Sequence, residues 1–194
     1  MTEYHKIQTV WQRDPETNHR TLIERAWATP EFELLAGCEW EWTEKVDGTN
    51  IRIYIGPDGY RIGGRTDNAQ IPAFLLTRLQ DIADGIITKI DTPMTLYGEG
   101  FGARIQKSGR NYIEDGVDFV LFDVFCGGLW LERENVVDIA LAHGLEFVPT
   151  VGRGSLDEAI SITRGGFNSH WGPFIAEGLI MRPSVEIQDR RGRH

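Results

Sequence analysis

Lys45 is the residue of this chain whose position best suits covalent chemistry. It lies in the loop EKVDGTN (residues 44–50), between two segments of alternating polar and apolar residues. The glycine turn places the lysine amine at the mouth of a cleft, where Trp40 and Trp42 could wall its stem. Burial disfavours the ammonium form of lysine, and the neutral amine is the nucleophile. Taken alone, the loop is better explained as an exposed hairpin whose lysine pairs with Glu44 or Asp47, because the pattern KxDG also occurs by chance.

Glu177 is a second residue suited to chemistry, because it lies in an otherwise apolar segment, Phe174 to Met181, that we predict to be a strand. A carboxylate in such surroundings needs a partner. A Mg²⁺ ion bound through water would be one. Arg65 follows a Gly-Gly turn and offers a planar fork of donors that suits phosphate, although a surface arginine would have the same sequence context.

The elements that must position these residues alternate between strand and helix patterns. Period-two alternation predicts strands, and apolar residues at helical spacing predict helices. Pro72 marks the first position of one helix, Gly144 follows the end of another, and a capping box at residues 155–158 opens a third. The predicted strands are 39–45, 51–55, 60–63, 95–98, 117–125 and 174–181, and the predicted helices are 72–89, 132–143 and 155–163. Hairpin-linked strands between helices indicate an α+β fold with antiparallel sheets flanked by helices.

Composition and charge exclude several classes of protein. The 194 residues carry a net charge of −9, which argues against non-specific coating of DNA through bulk charge. No apolar run reaches the ~18 residues that a membrane span needs. The start of the chain shows no secretory signal, so we expect a cytoplasmic protein with no membrane partner. Cys38 and Cys126 lack metal-type spacing, which fits a reducing compartment. We expect a single domain over residues 1–194.

Four further segments follow the lysine loop, and their order carries a family resemblance. They are Gly64-Arg65-Thr66, YGEGFG (97–102), Phe119 to Asp123 and AEGLI (176–180). Over about residues 40–183, they resemble the covalent nucleotidyltransferase superfamily of ATP-dependent DNA ligases, RNA ligases and mRNA capping enzymes. Asn50 resembles the RNA ligase branch, which includes phage RNA ligase 2 and the RNA-editing ligases. The segment 97–106 is similar to phage and bacterial RNA ligase domains, and its glycines could permit close ligand approach or be plain turn glycines.

The resemblance implies an adenylating nucleotidyltransferase domain, of the ATP-grasp-like ligase type, that acts as an ATP-dependent RNA ligase. Lys45 would attack the α-phosphorus of ATP, expel pyrophosphate and hold AMP. AMP would then pass to an RNA 5′-phosphate before a 3′-OH attacks. Arg65 would bind phosphate or the 3′ end, and Glu99 would hold ribose hydroxyls or a metal-bound water. Glu99 and Glu177 would bind Mg²⁺ or Mn²⁺ through water, so the implied catalytic set is Lys45, Arg65, Glu99 and Glu177.

The resemblance also implies a nucleotide-binding set around these residues. Glu44 would read the adenine edge, since a carboxylate accepts from an exocyclic amine. Phe122 would stack on the adenine, although it could be a core residue and Phe119, on the opposite strand face, could take the role instead. Ile180 would pack on the other face of the base. The full set is Glu44, Lys45, Val46, Asn50, Arg65, Glu99, Phe122 and Ile180.

The best local basic cluster is Arg104, Lys107 and Arg110, and we expect it to contact a nucleic-acid strand. The arginines at 190, 191 and 193 would suit a phosphate path, but a solvated basic tail fits equally well. His170-Trp171 is better explained as an aromatic loop packed onto the domain. The expected partners are RNA ends or a nicked duplex.

The last motif of the superfamily, two lysines in KxK spacing after the AEG segment, has no counterpart in the 194 residues. Either the chain is truncated before that motif, arginines substitute for it, or a separate chain completes the site. Loss of fixed cations at a developing charge costs on the order of 10²-fold in rate, so we expect slow self-adenylation that an added KxK strand would raise. A DNA ligase, a capping-type enzyme and a non-catalytic RNA-binding module that keeps the fold are the alternatives.

Overall fold

The computed structural model describes residues 2–184, and within them the chain forms two compact units. Unit 1 consists of residues 2–4, 44–149 and 168–178. Unit 2 consists of residues 5–43, 150–167 and the described residues from 179 onward. The single domain expected over residues 1–194 stays a prediction. The arginines at 190, 191 and 193 lie outside the described residues.

Strands and helices alternate along the described chain. The strands are β1 (Trp11–Arg13), β2 (Leu22–Trp27), β3 (Trp40–Glu44), β4 (Thr49–Gly56), β5 (Gly59–Gly64), β6 (Met94–Gly102), β7 (Val117–Cys126), β8 (Leu129–Trp130), β9 (Glu146–Phe147), β10 (Thr150–Gly154) and β11 (Leu179–Pro183). The helices are α1 (Pro30–Leu35), α2 (Ala73–Ile87), α3 (Gly109–Tyr112), α4 (Arg133–His143) and α5 (Leu156–Gly165), with a 3₁₀ turn at Pro15–Thr17. This mixture of helices and antiparallel sheets confirms the predicted α+β class. Within residues 2–184, no helix is both long and apolar enough to cross a bilayer.

Unit 1 is built on one sheet of strand order β5-β4-β6-β7-β8, antiparallel along this path, with β9 added parallel to β7. Side chains along each strand alternate between the two faces of the sheet. On one face, Ile51, Ile53 and Ile55 of β4 pack with Leu75 and Leu79 of α2 in a fully buried core. We call this side the α2 face and the opposite side the polar face.

The polar face carries charged and hydrogen-bonding side chains from the same strands. Pairing of β4 with β6 places Asn50 beside Glu99 and Arg52 beside Tyr97. Pairing of β6 with β7 places Tyr97 beside Asp123. Charged side chains and the polar side chains between them therefore share this face across three strands.

Two glycines of β6 are required by packing on the α2 face. A Cβ at Gly98 would lie 2.3 Å from the ring of Phe119, and a Cβ at Gly100 would lie 2.7 Å from Leu75. The expectation that Gly98 and Gly100 are turn glycines is therefore wrong, because both lie within a strand, and the close approach of a ligand stays a prediction. Gly102, at the end of β6, has a φ of +114°, which glycine adopts without steric cost.

Unit 2 contains a two-stranded sheet, β1-β2, and a three-stranded sheet of order β10-β3-β11. Its core joins Leu35 of α1, Trp40 and Trp42 of β3, and Leu156 and Ala159 of α5. The two tryptophans were expected to wall the lysine stem. They are instead core residues of unit 2, with 3% and 4% of their surface exposed.

The predicted capping residues of α4 and α5 are confirmed, although α5 runs to Gly165, two residues beyond its predicted end. Gly144 follows α4 in the left-handed conformation, with a φ of +66°. Ser155 and Glu158 form the reciprocal capping box of α5. Helix α2 begins one residue later than predicted, because Pro72 is its N-cap and not its first residue.

The strand predicted over Phe174 to Met181 is wrong in its first half, because β11 begins only at Leu179. The preceding residues fold back on themselves through an antiparallel bridge between Asn168 and Ile175. The residues before Leu179 therefore do not continue β11 along its neighbouring strand. Glu177 consequently lies in irregular backbone just before β11, not on a strand.

Candidate active site

Lys45 and Glu177 meet within unit 1, although 132 residues separate them in the chain. Lys45 directly follows β3, and its backbone N–H donates to the Gly178 carbonyl (2.9 Å), which aligns the two segments. Its Nζ forms an ion pair with the Glu177 carboxylate. Both side chains keep access to solvent, with 44% and 36% of their surfaces exposed. Two members of the predicted catalytic set are therefore in contact.

Glu99 lies on β6 within electrostatic range of this pair. Burial raises the pKa of Glu99 to about 8; Lys45 opposes the rise, and the Glu177 and Asp47 carboxylates add to it. A carboxyl group with this pKa is largely protonated at neutral pH. It ionises when a cation or a hydrogen-bond donor stabilises its charged form.

Asn50 is the cross-strand partner of Glu99. Its side-chain oxygen is buried and has no hydrogen-bond partner within residues 2–184. A buried acceptor without a partner costs about 1 to 3 kcal/mol, so a ligand that donates a hydrogen bond here would remove that cost. This observation supports the predicted role of Asn50 in ligand binding, which stays a prediction.

Glu44 is buried at the end of β3, with 1% of its surface exposed. Its carboxylate accepts hydrogen bonds from the Ser169 hydroxyl (2.6 Å) and from the His170 backbone N–H (2.8 Å). Glu44 therefore holds the segment 168–178, which carries Glu177, a role that sequence reasoning missed. Its expected contact with the adenine amine stays a prediction.

An aromatic cluster packs beside the lysine loop. The ring of Trp171 lies 5.7 Å from the rings of Phe101 and Tyr112, and the ring of Phe174 lies 5.0 Å from that of Tyr112. Trp171 is thus packed within unit 1, as expected for an aromatic loop. The Val46 side chain is buried in the same cluster, so Val46 would have to contact a nucleotide through its backbone.

Asp47 is a residue of this site to which sequence reasoning gave no role. Its carboxylate is hydrogen-bonded to the Ser108 hydroxyl, and its backbone N–H donates to the Tyr112 hydroxyl (3.2 Å). Gln106 donates to the carbonyl of the next residue, Gly48 (2.8 Å). These partners lie some sixty residues away in the chain, so the KVDG pattern is the one local signal that could have pointed to Asp47.

The predicted cationic residues are exposed and form no ion pair within the described part of the chain. They are Arg65, Arg104, Lys107 and Arg110. Arg65 leaves the sheet directly after β5, and the other three lie in residues 103–112, which follow β6. Arg104 has a φ of +70°, an uncommon conformation for a residue with a side chain. The structure does not bring Arg65 into contact with Lys45, Glu99 or Glu177.

Phe122 and Phe119, the two candidates for stacking on adenine, occupy different environments. Phe119 is 1% exposed in the core of the α2 face. Phe122 is the extra residue where the register of β6 and β7 shifts, and its ring lies 5.0 Å from that of Tyr4. Of the two, only Phe122 lies outside the α2 core. Ile180 lies on β11 of unit 2, and the contacts of Phe122 and Ile180 with adenine stay predictions.

The oxygen groups of Glu99, Glu177 and Asn50 fit a hard divalent cation by type. Mg²⁺ usually binds through one or two carboxylates together with substrate phosphates, not in an all-protein cage. Residues 2–184 accordingly contain no group of three or more His, Cys, Asp or Glu side chains arranged to hold a metal ion. The residues present therefore fit Mg²⁺ or Mn²⁺ as part of a site that substrate oxygens complete.

Solved structures similar to this chain include RNA ligases of Naegleria gruberi. A ligand-free alanine variant matches with a TM-score of 0.65 and 20% identity, over 79% of this chain and 48% of that chain. The complex with pyrophosphate matches with a TM-score of 0.65 and 21% identity, over 85% and 50%. A variant with ATP and Mn matches with a TM-score of 0.64 and 22% identity, over 79% and 48%. The fold is therefore that of the RNA ligase nucleotidyltransferases, and this chain spans about half the length of the structures it matches.

The sequence itself identifies the family. A search of curated proteins found no match. The family model for RNA ligase matches residues 38–194, which is most of the chain. The chain belongs to the RNA ligase family.

Proposed function

We propose that this chain is the nucleotidyltransferase part of an ATP-dependent RNA ligase and that Lys45 becomes covalently adenylated. The observation that carries the proposal is the contact of Lys45 with Glu177, beside a Glu99 whose pKa is raised to about 8. Membership of the RNA ligase family supports RNA as the polymer. Similar RNA ligases solved with ATP and Mn support ATP and a divalent metal as cofactors. The substrates would be RNA ends or a nicked duplex.

Lys45 acts as the nucleophile in the first step. A bond forms between Nζ and the α-phosphorus of ATP, the bond from that phosphorus to the bridging oxygen breaks, and pyrophosphate leaves. The ammonium group must first lose a proton, which can pass to water because 44% of the side chain is exposed. The Glu177 carboxylate must also move away from Nζ, because the ion pair occupies the atom that attacks phosphorus.

Glu99 and Glu177 would hold the divalent cation, Mg²⁺ or Mn²⁺, through water. When bound, the cation neutralises charge on the phosphate groups. Glu99 ionises in this state, because a nearby positive charge offsets the cost of burying its carboxylate. The side-chain oxygen of Asn50 accepts a hydrogen bond from a ligand hydroxyl or a bound water.

Two transfers complete the reaction. AMP moves from Lys45 to the RNA 5′-phosphate, which breaks the N–P bond and forms a pyrophosphate linkage. The 3′-OH then attacks the activated phosphate and expels AMP. Arg65 would bind phosphate or the 3′ end, while Arg104, Lys107 and Arg110 would contact the strand. A KxK lysine pair, from an added segment or a partner chain, would complete the charge at the α-phosphate.

Intact mass after incubation with ATP and Mg²⁺ tests the proposal. We expect an AMP adduct with ATP, none with GTP, and none in Lys45→Arg, because arginine keeps the charge but is a very poor nucleophile. Lys89→Arg, a substitution on the exposed surface, is the matched control and should keep the adduct. Sealing of nicked RNA against nicked DNA then identifies the polymer. Retained RNA binding without any adduct would contradict the proposal and favour a non-catalytic module.

A further inference from the structure

Ser108 and Tyr112 hold Asp47 by two different groups. The Ser108 hydroxyl is hydrogen-bonded to the Asp47 carboxylate, and the Tyr112 hydroxyl accepts the Asp47 backbone N–H at 3.2 Å. One contact orients the side chain, and the other fixes the backbone two residues after Lys45. Gln106 adds a third contact when it donates to the Gly48 carbonyl at 2.8 Å. The loop that follows the lysine is therefore attached along its length to one segment, residues 103–112.

This segment is itself attached firmly to the sheet. A Cβ at Gly109 would lie 1.9 Å from the Gly102 carbonyl oxygen, so α3 touches the end of β6 backbone to backbone. Tyr112 is 9% exposed, and its ring packs 5.9 Å from that of Phe101. The hydroxyl that accepts the Asp47 N–H is thus carried by a side chain that cannot change rotamer without repacking the aromatic cluster.

Asp47 matters to the chemistry because its charge acts on the proposed catalytic set. The Asp47 carboxylate adds to the negative potential at Glu99, which also lies near Lys45 and Glu177. The orientation of Asp47 therefore influences how much negative charge surrounds the amine. Hydrogen bonds to a carboxylate are stronger than those between neutral groups, so the Ser108 hydroxyl is expected to select one orientation of the Asp47 side chain.

We propose that Ser108 and Tyr112 are positioning residues for the adenylation of Lys45 and that both act through Asp47. This inference rests on the proposed function. Neither residue contacts Lys45, and neither is expected to touch ATP. The same segment carries Arg104, Lys107 and Arg110, so these contacts also join the proposed strand-binding surface to the lysine loop.

Hydrogen exchange at the Asp47 amide tests the positioning without any need for activity. Tyr112→Phe keeps the ring and removes the oxygen that accepts this N–H, so exchange at Asp47 should become about tenfold faster while β4 keeps its protection. Tyr60→Phe removes a hydroxyl from β5 and is the matched control, with no change expected at Asp47. Unchanged exchange in Tyr112→Phe would overturn the inference.

Single-turnover formation of the AMP adduct tests the effect on chemistry. Tyr112→Phe and Ser108→Ala should each lower the rate at saturating ATP by about tenfold, since each removes one orienting hydrogen bond. The ATP concentration for half-maximal rate should not change, because neither variant removes a group that is expected to bind ATP. Ser108→Thr should restore the rate because it returns a hydroxyl, and Ser161→Ala, in unit 2, should have no effect. A wild-type rate in Ser108→Ala, or a loss that Ser108→Thr does not restore, would count against the inference.

The two measurements separate the failure of this inference from that of the proposed function. If the unsubstituted chain forms an adduct and the variants match it, positioning by Ser108 and Tyr112 is wrong and the proposed function stands. If the unsubstituted chain forms no adduct, the proposed function is contradicted, and so is the role of Ser108 and Tyr112 in adenylation. Exchange at Asp47 then decides whether Tyr112 holds the loop at all.

Discussion

The two faces of the unit 1 sheet use the same strands for opposite purposes. On β4, Ile51, Ile53 and Ile55 face α2 and are at most 1% exposed, whereas Asn50 and Arg52 alternate with them on the polar face. The α2 face stabilises the unit because it removes apolar surface from water, at roughly 25 cal/mol per Å². The polar face also buries apolar side chains, among them Phe101 and Val120, but each polar group buried beside them needs a partner.

Along the polar face, buried polar groups that have hydrogen-bond partners lie apart from those that have none in the described chain. Arg52 is fully buried, yet it donates to two backbone carbonyls (2.7 and 3.3 Å) and to the Asp67 carboxylate (2.9 Å). Farther along the same strands, Asn50 has a buried oxygen with no partner in the described chain, and Glu99 has a pKa raised to about 8. A buried polar group with all its partners maintains the fold, whereas one that lacks them is available to a ligand. This difference distinguishes the Lys45 end of the sheet.

Truncation on the α2 face should have the largest effect on stability. Ile53→Ala leaves a cavity among fully buried side chains, so the free energy of unfolding should fall by about 2 to 5 kcal/mol. Chemical denaturation measures the change. Leu129→Ala, which alters a side chain with 66% of its surface exposed, is the control and should change stability by less than about 0.5 kcal/mol. Equal losses in the two variants would remove the contrast between core and surface.

Removal of the partnered charge on the polar face should have the next largest effect. Arg52→Leu removes the side-chain donor to the buried Gly64 carbonyl, whereas the Thr2 carbonyl keeps the Tyr97 hydroxyl as a donor. Unfolding should therefore become easier by about 1 to 3 kcal/mol despite the added apolar side chain. Arg61→Leu, on the exposed surface of β5, serves as the control and should be nearly neutral. An Arg52→Leu protein as stable as the wild type would show that the polar face stabilises the unit by packing alone.

Local patterns in the sequence were enough to predict the alternation of β4, the capping box of α5 and the α+β class, because each depends on neighbouring residues. The pairing of Lys45 with Glu177 followed only from the order of family motifs. Contacts between distant segments could not be predicted from local patterns. The partners of Glu44 lie 125 and 126 residues away, and no pattern near Glu44 indicates them. The segment before β11 looks apolar enough for a strand, but its backbone is used in a bridge within the segment.

Substitution of Glu99, the carboxyl whose pKa is raised by burial, should give an effect of the opposite sign to substitution of Arg52. Its pKa rises from 4.5 to about 8 on folding, so the folded state loses stability as the pH rises from 4.5 through about 8. Glu99→Gln removes this penalty, and at about pH 9 the variant should be more stable than the wild type by roughly 1 to 2 kcal/mol, with no such gain below about pH 5. Denaturation in a chelating buffer across this range measures the difference.

A matched carboxylate makes the pH test specific. The pKa of Glu158 is lowered by its hydrogen bonds with the Ser155 backbone and hydroxyl, so this residue is mostly ionised at about pH 5 as well as at about pH 9. Glu158→Gln should therefore show the same stability difference from the wild type at both pH values. A pH-independent difference for Glu99→Gln as well would mean that burial does not raise the pKa of Glu99 in solution.

The smallest expected effect extends the comparison to exposed charges. Arg110 has no ion pair within residues 2–184, whereas Arg78 on α2 pairs with Asp118 at 3.0 and 3.1 Å. If Arg110 contacts an RNA phosphate, Arg110→Ala should weaken RNA binding a few-fold and lower the slope of log affinity against log salt by about 0.7 to 1. Arg78→Ala should leave both quantities unchanged, because its charge is already neutralised by a neighbour. Fluorescence anisotropy with labelled RNA between about 50 and 200 mM salt measures the slopes. If the slope for Arg110→Ala equals that of the wild type, Arg110 does not contact RNA. Binding of a variant that has lost a phosphate contact must release fewer counterions and give a smaller slope.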